Sequence, residues 1–213
     1  MKIQLYYAPT TCALAPWATL TETGALFETV AMNFRKAQHM SPEFMALNPK
    51  HKVPLLIVDG EKLTESVAIQ IWIAETFPAA KLLPANAMQR LQAISLMSWC
   101  SSGIHPHLAR INSPAKYASE GAEASVKSHA NDFLQECFAI TDGLLAGREH
   151  FFDHFTAVDA HFFWCYRRAT QFELPLAEHR NCNAHFAQMQ KRSSIAAVLA
   201  FEKETLTGFA RQG

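Results

Sequence analysis

The pattern of strands and helices changes character at Pro78, and this change constrains the fold more than any other feature. Before it, short runs of strand-forming residues alternate with segments of helical periodicity. Their predicted order is strand, helix, strand, helix, hairpin, helix. Further along the chain strand patterns almost vanish. The sequence therefore predicts an α/β domain over residues 1–78, a linker over residues 79–87 and an all-helical domain over residues 88–213.

Helical patterns follow one another through the second predicted domain. They cover residues 88–112, 119–146, 157–171, 178–191 and 194–206. No internal repeat or low-complexity tract interrupts them, so an ordinary all-α domain is expected.

Composition and charge limit the partners of the chain. Hydrophobic residues make up 49% and charged residues 18%, a balance typical of a packed core. The 19 lysines and arginines equal the 19 aspartates and glutamates, so no net charge attracts nucleic acid or an anionic membrane. The first residues lack the apolar run of a signal peptide, and no stretch has the ~18 apolar residues of a membrane span. We expect a cytoplasmic protein whose partner is a small molecule or another protein.

Cys12 stands apart from the other cysteines. The five cysteines lie at positions 12, 100, 137, 165 and 182. Their odd number, wide spacing and lack of a CxxC pair indicate neither a disulfide framework nor a zinc site. Cys12 lies between a predicted strand and a predicted helix, where the positive end of the helix dipole would stabilise a thiolate. A buried structural cysteine is the alternative. No resolving thiol lies nearby, which favours exchange with an external thiol over a dithiol cycle.

Two further features of the first domain indicate a binding site. Pro54 opens an apolar strand, where proline is unusual unless a special turn is needed, and a cis bond would explain it. Because only about 5–6% of X–Pro bonds are cis, local sequence alone favours a trans proline that opens an edge strand. Glu65 and Ser66 follow the hairpin and open a helix. Free N–H groups at a helix start can bind a carboxylate, the serine adds a hydroxyl, and the glutamate can meet an ammonium group. The same residues also fit an ordinary helix start.

Three segments together resemble the glutathione transferases, and the bacterial beta class in particular. They are LYYAPTTCALAPWATLTETG, NPKHKVPLLIVDGEKLTESVAI and FTAVDAHFF. The resemblance covers nearly the whole chain and is most specific in the first 78 residues. It implies a thioredoxin-like N-terminal domain, a cis bond before Pro54, glutathione as co-substrate without a metal, and a homodimer.

The resemblance also implies roles for individual residues. Cys12 would face the glutathione sulfur, and His105 in the first long helix could donate to a thiolate or take its proton. The other implied glutathione-binding residues are Lys36 and Lys52 for the glycyl carboxylate, Val53 and Pro54 for the cysteinyl unit, Glu65 and Ser66 for the γ-glutamyl end, and Ser98 and Ser102 on the predicted helical face of His105. Tyr6, Thr10 and Thr11 lie near the strand end, where other classes activate the thiol, and rank below Cys12.

Other polar patterns have structural explanations. Thr156-Ala-Val-Asp159 predicts a capping box, with a role in folding. His150 and His154 have the i,i+4 spacing of a zinc-binding pair, but no third ligand is evident, so a solvated loop is predicted. Pro106 is expected to bend the first long helix.

Three functions are compatible with these observations. In the first, the sulfur of glutathione attacks a small apolar electrophile. In the second, Cys12 carries out thiol–disulfide exchange or reductive dehalogenation. In the third, the fold serves a binding or regulatory role without turnover. The presence of Cys12, Glu65 and Ser66 together favours an enzyme.

Overall fold

A four-stranded mixed sheet organises the first part of the chain in the computed structural model, which describes residues 1–211. The strands are β1 (Ile3–Tyr7), β2 (Glu28–Ala31), β3 (Leu55–Val58) and β4 (Glu61–Thr64), and their order across the sheet is β2-β1-β3-β4. β1 runs parallel to β2, whereas β3 runs antiparallel to β1 and β4. The helices of this part are α1 (Leu14–Glu22), α2 (Pro42–Leu47) and α3 (Ser66–Thr76). The predicted thioredoxin-like α/β domain is confirmed.

Local sequence explains the centre of this sheet. Ile3, Leu5 and Tyr7 are buried, while the residues between them are half-buried, as a strand with period two requires. Asp59 and Gly60 both have positive φ, at 49° and 95°, and join β3 to β4 as the central residues of a two-residue turn. The twist of such a turn matches the natural twist of the two strands that it joins. The predicted hairpin is confirmed.

Helices make up the second part of the chain. They are α4 (Ala87–Trp99), α5 (His105–Asn112), α6 (Glu123–Leu144), α7 (Ala157–Gln171) and α8 (Arg180–Lys191). The all-α prediction is confirmed, and so is the capping box of α7, in which Thr156 and Asp159 bond reciprocally. Among the described residues, no helix has the length and hydropathy of a membrane span.

The predicted continuous helix over residues 88–112 is wrong in one respect. A π-helical turn, Cys100–Ile104, separates α4 from α5, and the N–H of His105 donates to the carbonyl of Cys100. Pro106 has no N–H, and its ring would clash with the carbonyl four residues earlier in an α-helix. A wider turn before the proline accommodates this.

The last helix, α9 (Ser193–Arg211), groups with the first part of the chain. One compact unit contains Met1–Leu83 together with the chain from Lys191, and the other is Pro84–Gln190. Arg192 forms a bidentate pair with Glu22, with both N···O distances 2.7 Å. Trp17 of α1 stacks on Phe201, with ring centroids 5.7 Å apart. The predicted domains followed chain order and assigned this segment to the helical domain, whereas these long-range contacts hold it to α1.

Candidate active site

Cys12 lies in the turn between β1 and α1, with 9% of its surface exposed. Its thiol donates to the backbone carbonyl of Val53, with Sγ 3.7 Å from the oxygen. Burial raises the pKa of Cys12 to about 12, more than a hydrogen bond from its own backbone lowers it. The predicted stabilisation of a thiolate by the helix start is therefore wrong for the protein without a ligand. Removal from water disfavours the charged form more than the helix dipole favours it.

The loop before β3 forms the second part of the site. The Val53–Pro54 peptide bond is cis, as the resemblance implied. Both residues are buried, while the Lys52 side chain is exposed. The side-chain amide of Asn48 donates to the carbonyl of Lys52 at 2.7 Å and so fixes the loop. Cys12 and the loop therefore meet through the carbonyl of Val53. The predicted roles of Val53 and Pro54 in glutathione binding stay predictions.

The start of α3 contributes a third group. Ser66 is buried, and among the described residues its Oγ has no hydrogen-bond partner. Glu65 precedes it with φ at 72° and makes no side-chain cap. The first N–H groups of α3 are thus available to an anionic ligand. A hydroxyl buried without a partner costs stability, so the Ser66 hydroxyl is a candidate group for binding a ligand.

Lys50 pairs with the carboxylate of Glu65. Lys50 donates to it at 2.6 Å and to the Thr64 hydroxyl at 3.0 Å. Sequence reasoning missed Lys50, because an exposed lysine in a loop carries no signal of its partner. The charge of Glu65 raises the pKa of Cys12, whereas the charge of Lys52 lowers it. The Lys50–Glu65 pair is exposed and worth less than about 1 kcal/mol, so a ligand ammonium group can replace it.

Lys36 lies on a separate loop of the same unit, at the end of a 3₁₀ turn that follows β2. The side chain of Asn33 accepts hydrogen bonds from the N–H groups of Arg35 and Lys36 and fixes this turn. The Lys36 side chain is exposed. Its predicted contact with a glycyl carboxylate stays a prediction.

Near the end of β1, Tyr6, Thr10 and Thr11 differ in their surroundings. Thr10 adopts a positive φ of 65°, and the hydroxyl of Thr11 donates to the Ala8 carbonyl at 2.7 Å. Tyr6 is half-buried, and burial raises its pKa above the ordinary value. A raised pKa makes the Tyr6 hydroxyl a hydrogen-bond donor rather than a base.

His105 belongs to the second unit, where it is the first residue of α5. Its ring meets the ring of Trp164 edge-on, with centroids 4.5 Å apart. Ser98 and Ser102 are exposed, and the Ser102 hydroxyl donates to the Ser98 carbonyl at 2.9 Å. The prediction that Ser98, Ser102 and His105 share one face of the helix assumed a regular α-helix. A π turn takes more residues than an α turn, so the face of Ser98 is offset from that of His105.

Gly103 allows the π turn to pack. A Cβ atom at this position would lie 2.6 Å from the ring of Trp99, too close for any side chain without a shift of that ring. Below the turn, Ser101 contacts the buried His161, with Oγ and Nε2 3.3 Å apart. Burial lowers the pKa of His161 to about 3, so this ring is neutral. Neither residue was predicted, because only the irregular turn brings them together.

Comparison with known proteins agrees with this geometry. Residues 1–75 match the family model for the N-terminal domain of glutathione S-transferases. The chain is 30% identical over 208 residues to glutathione S-transferase GstA of Escherichia coli O157:H7, covering 94% of this chain and 98% of that protein. It is also 30% identical over 164 residues to a maleylpyruvate isomerase of Ralstonia, covering 73% and 76%. A sphingomonad glutathione S-transferase, solved in complex with glutathione, superimposes with a TM-score of 0.83 at 29% identity over 94% of this chain and 98% of that one.

Proposed function

Because the chain belongs to the glutathione transferase family, we propose that glutathione binds in the first unit with its sulfur facing Cys12. The contact between Cys12 and the Val53 carbonyl carries this assignment. An extended peptide beside this loop can bond to the Val53 backbone, and the closeness of Cys12 to Val53 supports a thiol bound next to Cys12. The unpartnered Ser66 hydroxyl and the start of α3 then receive the γ-glutamyl carboxylate, and Glu65 receives its ammonium group.

The remaining contacts follow the resemblance to the beta class. The residues proposed to complete the glutathione site are Lys36 and Lys52 for the glycyl carboxylate and His105, Ser98 and Ser102 near the sulfur. The segment Cys12-Ala-Leu-Ala-Pro16 supports assignment to that class. We also propose a cytoplasmic homodimer; sedimentation at micromolar concentration would reveal a monomer if this is wrong.

In the proposed reaction the glutathione thiolate attacks a small apolar electrophile, whose leaving group departs with the bonding electrons. Cys12 keeps its proton, because its pKa is raised to about 12. On binding, its S–H turns from the Val53 carbonyl to the glutathione sulfur, donates a hydrogen bond to it and stabilises the thiolate. A cysteine in this state is a poor nucleophile, which favours conjugation over disulfide exchange or dehalogenation through Cys12.

Replacement of Cys12 with Ala tests this role. Conjugation of glutathione to an aryl halide should persist, while the pKa of the bound glutathione thiol, measured from thiolate absorbance, should rise by about one unit. A Cys12→Ser variant, which keeps a donor, should recover part of the shift. Complete loss of conjugation in Cys12→Ala, with glutathione binding intact, would instead establish a covalent role for Cys12.

A second candidate is glutathione-dependent isomerisation. The similarity to a maleylpyruvate isomerase favours it. In such a reaction glutathione adds to a double bond and leaves again, so the same thiolate site serves both chemistries. Incubation with maleylpyruvate and glutathione would distinguish them: isomerised product without net consumption of glutathione would establish the second function.

A further inference from the structure

Two histidines and an aspartate from separate parts of the second unit meet around one carboxylate oxygen. His150 lies in the loop after α6, Asp159 in the first turn of α7, and His185 in the middle of α8. The distance to Asp159 Oδ1 is 3.5 Å from His150 Nδ1 and 3.0 Å from His185 Nε2. One ligand atom of each residue lies within 4.8 Å of the other two. We propose that this cluster binds a divalent transition-metal ion such as zinc.

The separations fit the coordination shell of zinc. Metal–ligand bonds of about 2.0–2.1 Å at tetrahedral angles place neighbouring ligand atoms about 3.3 Å apart. The separations of Asp159 Oδ1 from the two histidine nitrogens, 3.5 Å and 3.0 Å, lie on either side of this value, and all three ligand atoms lie within 4.8 Å of one another. Imidazole nitrogen and carboxylate oxygen are typical zinc ligands, and three protein ligands leave a fourth position for water or a solute. The His150 side chain is 14% exposed, so the cluster reaches solvent at this residue.

The two oxygens of Asp159 have separate partners. Oδ2 accepts from the N–H and the hydroxyl of Thr156, at 2.7 Å and 3.0 Å. These bonds belong to the capping box and to the start of α7. Oδ1 accepts from the Phe151 N–H at 3.2 Å and faces both histidines. The helix cap therefore requires only Oδ2, and an ion can share Oδ1 without disturbing the cap.

The rings of both histidines are already held in place. The His185 side chain is fully buried, and its ring packs against Phe151 and Phe162 with centroids 5.6 Å and 5.8 Å away. The ring of His150 meets Phe155 edge-on at 6.1 Å. Because these contacts limit rotation, binding an ion costs little side-chain ordering.

His154, which sequence spacing paired with His150, lies outside the cluster and pairs with Asp153. The two histidines of the loop that was predicted to be solvated therefore differ: His150 is mostly buried, and His154 is half-exposed. The third ligand was not evident in the sequence, because Asp159 and His185 belong to different helices.

Metal binding can be measured on the full-length, tag-free protein after treatment with EDTA. Titration calorimetry with zinc chloride should show one ion per chain, and cobalt(II) should give the visible absorption of a four-coordinate site. The melting temperature should rise by roughly 5–10 °C at a zinc concentration a hundredfold above Kd. His150→Ala, at the rim of the site, should weaken zinc binding at least ~100-fold, whereas the matched control His154→Ala should bind as the wild type does.

Two other outcomes would contradict the proposed zinc site. A stripped wild-type protein that binds no zinc at micromolar concentrations would leave a hydrogen-bonded His–Asp–His network only. Binding that persists unchanged in His150→Ala and His185→Asn would place the ion on other residues, the cysteines included. Circular dichroism and glutathione conjugation check the fold of each variant, since neither depends on the ion.

Discussion

Each unit buries an ionisable side chain near the start of a helix, and the two respond in opposite ways. Cys12 precedes α1 in the first unit, and Asp159 lies in the first turn of α7 in the second. Burial disfavours the charged form of both. The His150 ring 3.5 Å away and hydrogen bonds from His185 and from the backbone of Thr156 nevertheless hold the pKa of Asp159 far below its ordinary value. Cys12 has fewer donors, and its pKa rises to about 12.

The contrast shows that hydrogen-bond donors, rather than the helix start alone, decide which buried group carries a charge. The helix dipole contributes typically 0.3–1 kcal/mol, whereas each pKa unit corresponds to about 1.4 kcal/mol. A third buried group extends the comparison. Glu202 of α9 accepts from the hydroxyl of Tyr7 at 2.8 Å and from the N–H of Thr10 at 2.7 Å.

The largest expected effect concerns the reactivity of Cys12, which tests the comparison between Cys12 and Asp159. At pH 7 its alkylation by iodoacetamide should be about a thousandfold slower than that of an ordinary thiol with a pKa near 8.5. The rate should rise continuously with pH up to pH 11, because deprotonation lies above that range. Mass spectrometry of the modified peptide measures it. A rate that levels off near pH 8.5 would show that burial does not govern this thiol.

Removal of the Asp159 carboxylate should produce the next largest effect. Asp159→Ala leaves the buried N–H groups of Thr156 and Phe151 without acceptors, so the free energy of unfolding in urea should fall by about 3–4 kcal/mol. The exposed control Asp153→Ala should change little. In the wild type a lowered carboxyl pKa stabilises the fold above about pH 4, and that contribution is lost as pH falls further. Equal acid sensitivity of both variants would contradict this.

Glu202→Gln should have a smaller effect on stability. The amide oxygen can still accept from Tyr7 and Thr10, but the bonds lose their charge assistance. Urea unfolding should show a loss of about 1–2 kcal/mol. Glu204→Gln, two residues away on an exposed position, is the matched control. If Glu202→Gln is as stable as the control, the charge of Glu202 contributes nothing to the first unit.

Ser66→Ala should have the smallest effect and should separate binding from stability. Its hydroxyl has no partner in the described residues, so the free energy of unfolding should stay within about 0.5 kcal/mol of the wild type. Loss of a hydrogen bond to glutathione should weaken binding by about 1 kcal/mol, or roughly fivefold. Calorimetry with glutathione measures this, with the exposed Ser95→Ala as control. Unchanged affinity would remove Ser66 from the glutathione site.

Local patterns were sufficient for much of the fold. The alternation of β1, the Asp59-Gly60 turn and the capping box of α7 each depend on residues close together in the chain. The transferase family and its enzymatic function were identified from similar local motifs and are confirmed. The third hypothesis, a role without turnover, is thereby disfavoured.

What sequence reasoning missed depends on distant residues. The raised pKa of Cys12 reflects its burial, which no local pattern reports. The bond from Thr10 to Glu202 spans 192 positions, and the contact of Asp159 with His185 spans 26. The π turn is an intermediate case. Pro106 predicted a disturbance of the helix, but not that a wider turn would absorb it.

The grouping of α9 with the first unit has a consequence for the order of folding during synthesis. Residues 1–83 are translated long before Arg192 and Glu202, which are the partners of Glu22 and of Tyr7 and Thr10. The helical unit, by contrast, is continuous in the chain and can complete its contacts earlier. The first unit can therefore complete its contacts only after residues 191–211 have been translated, so its sheet waits for this segment through the synthesis of the whole helical unit.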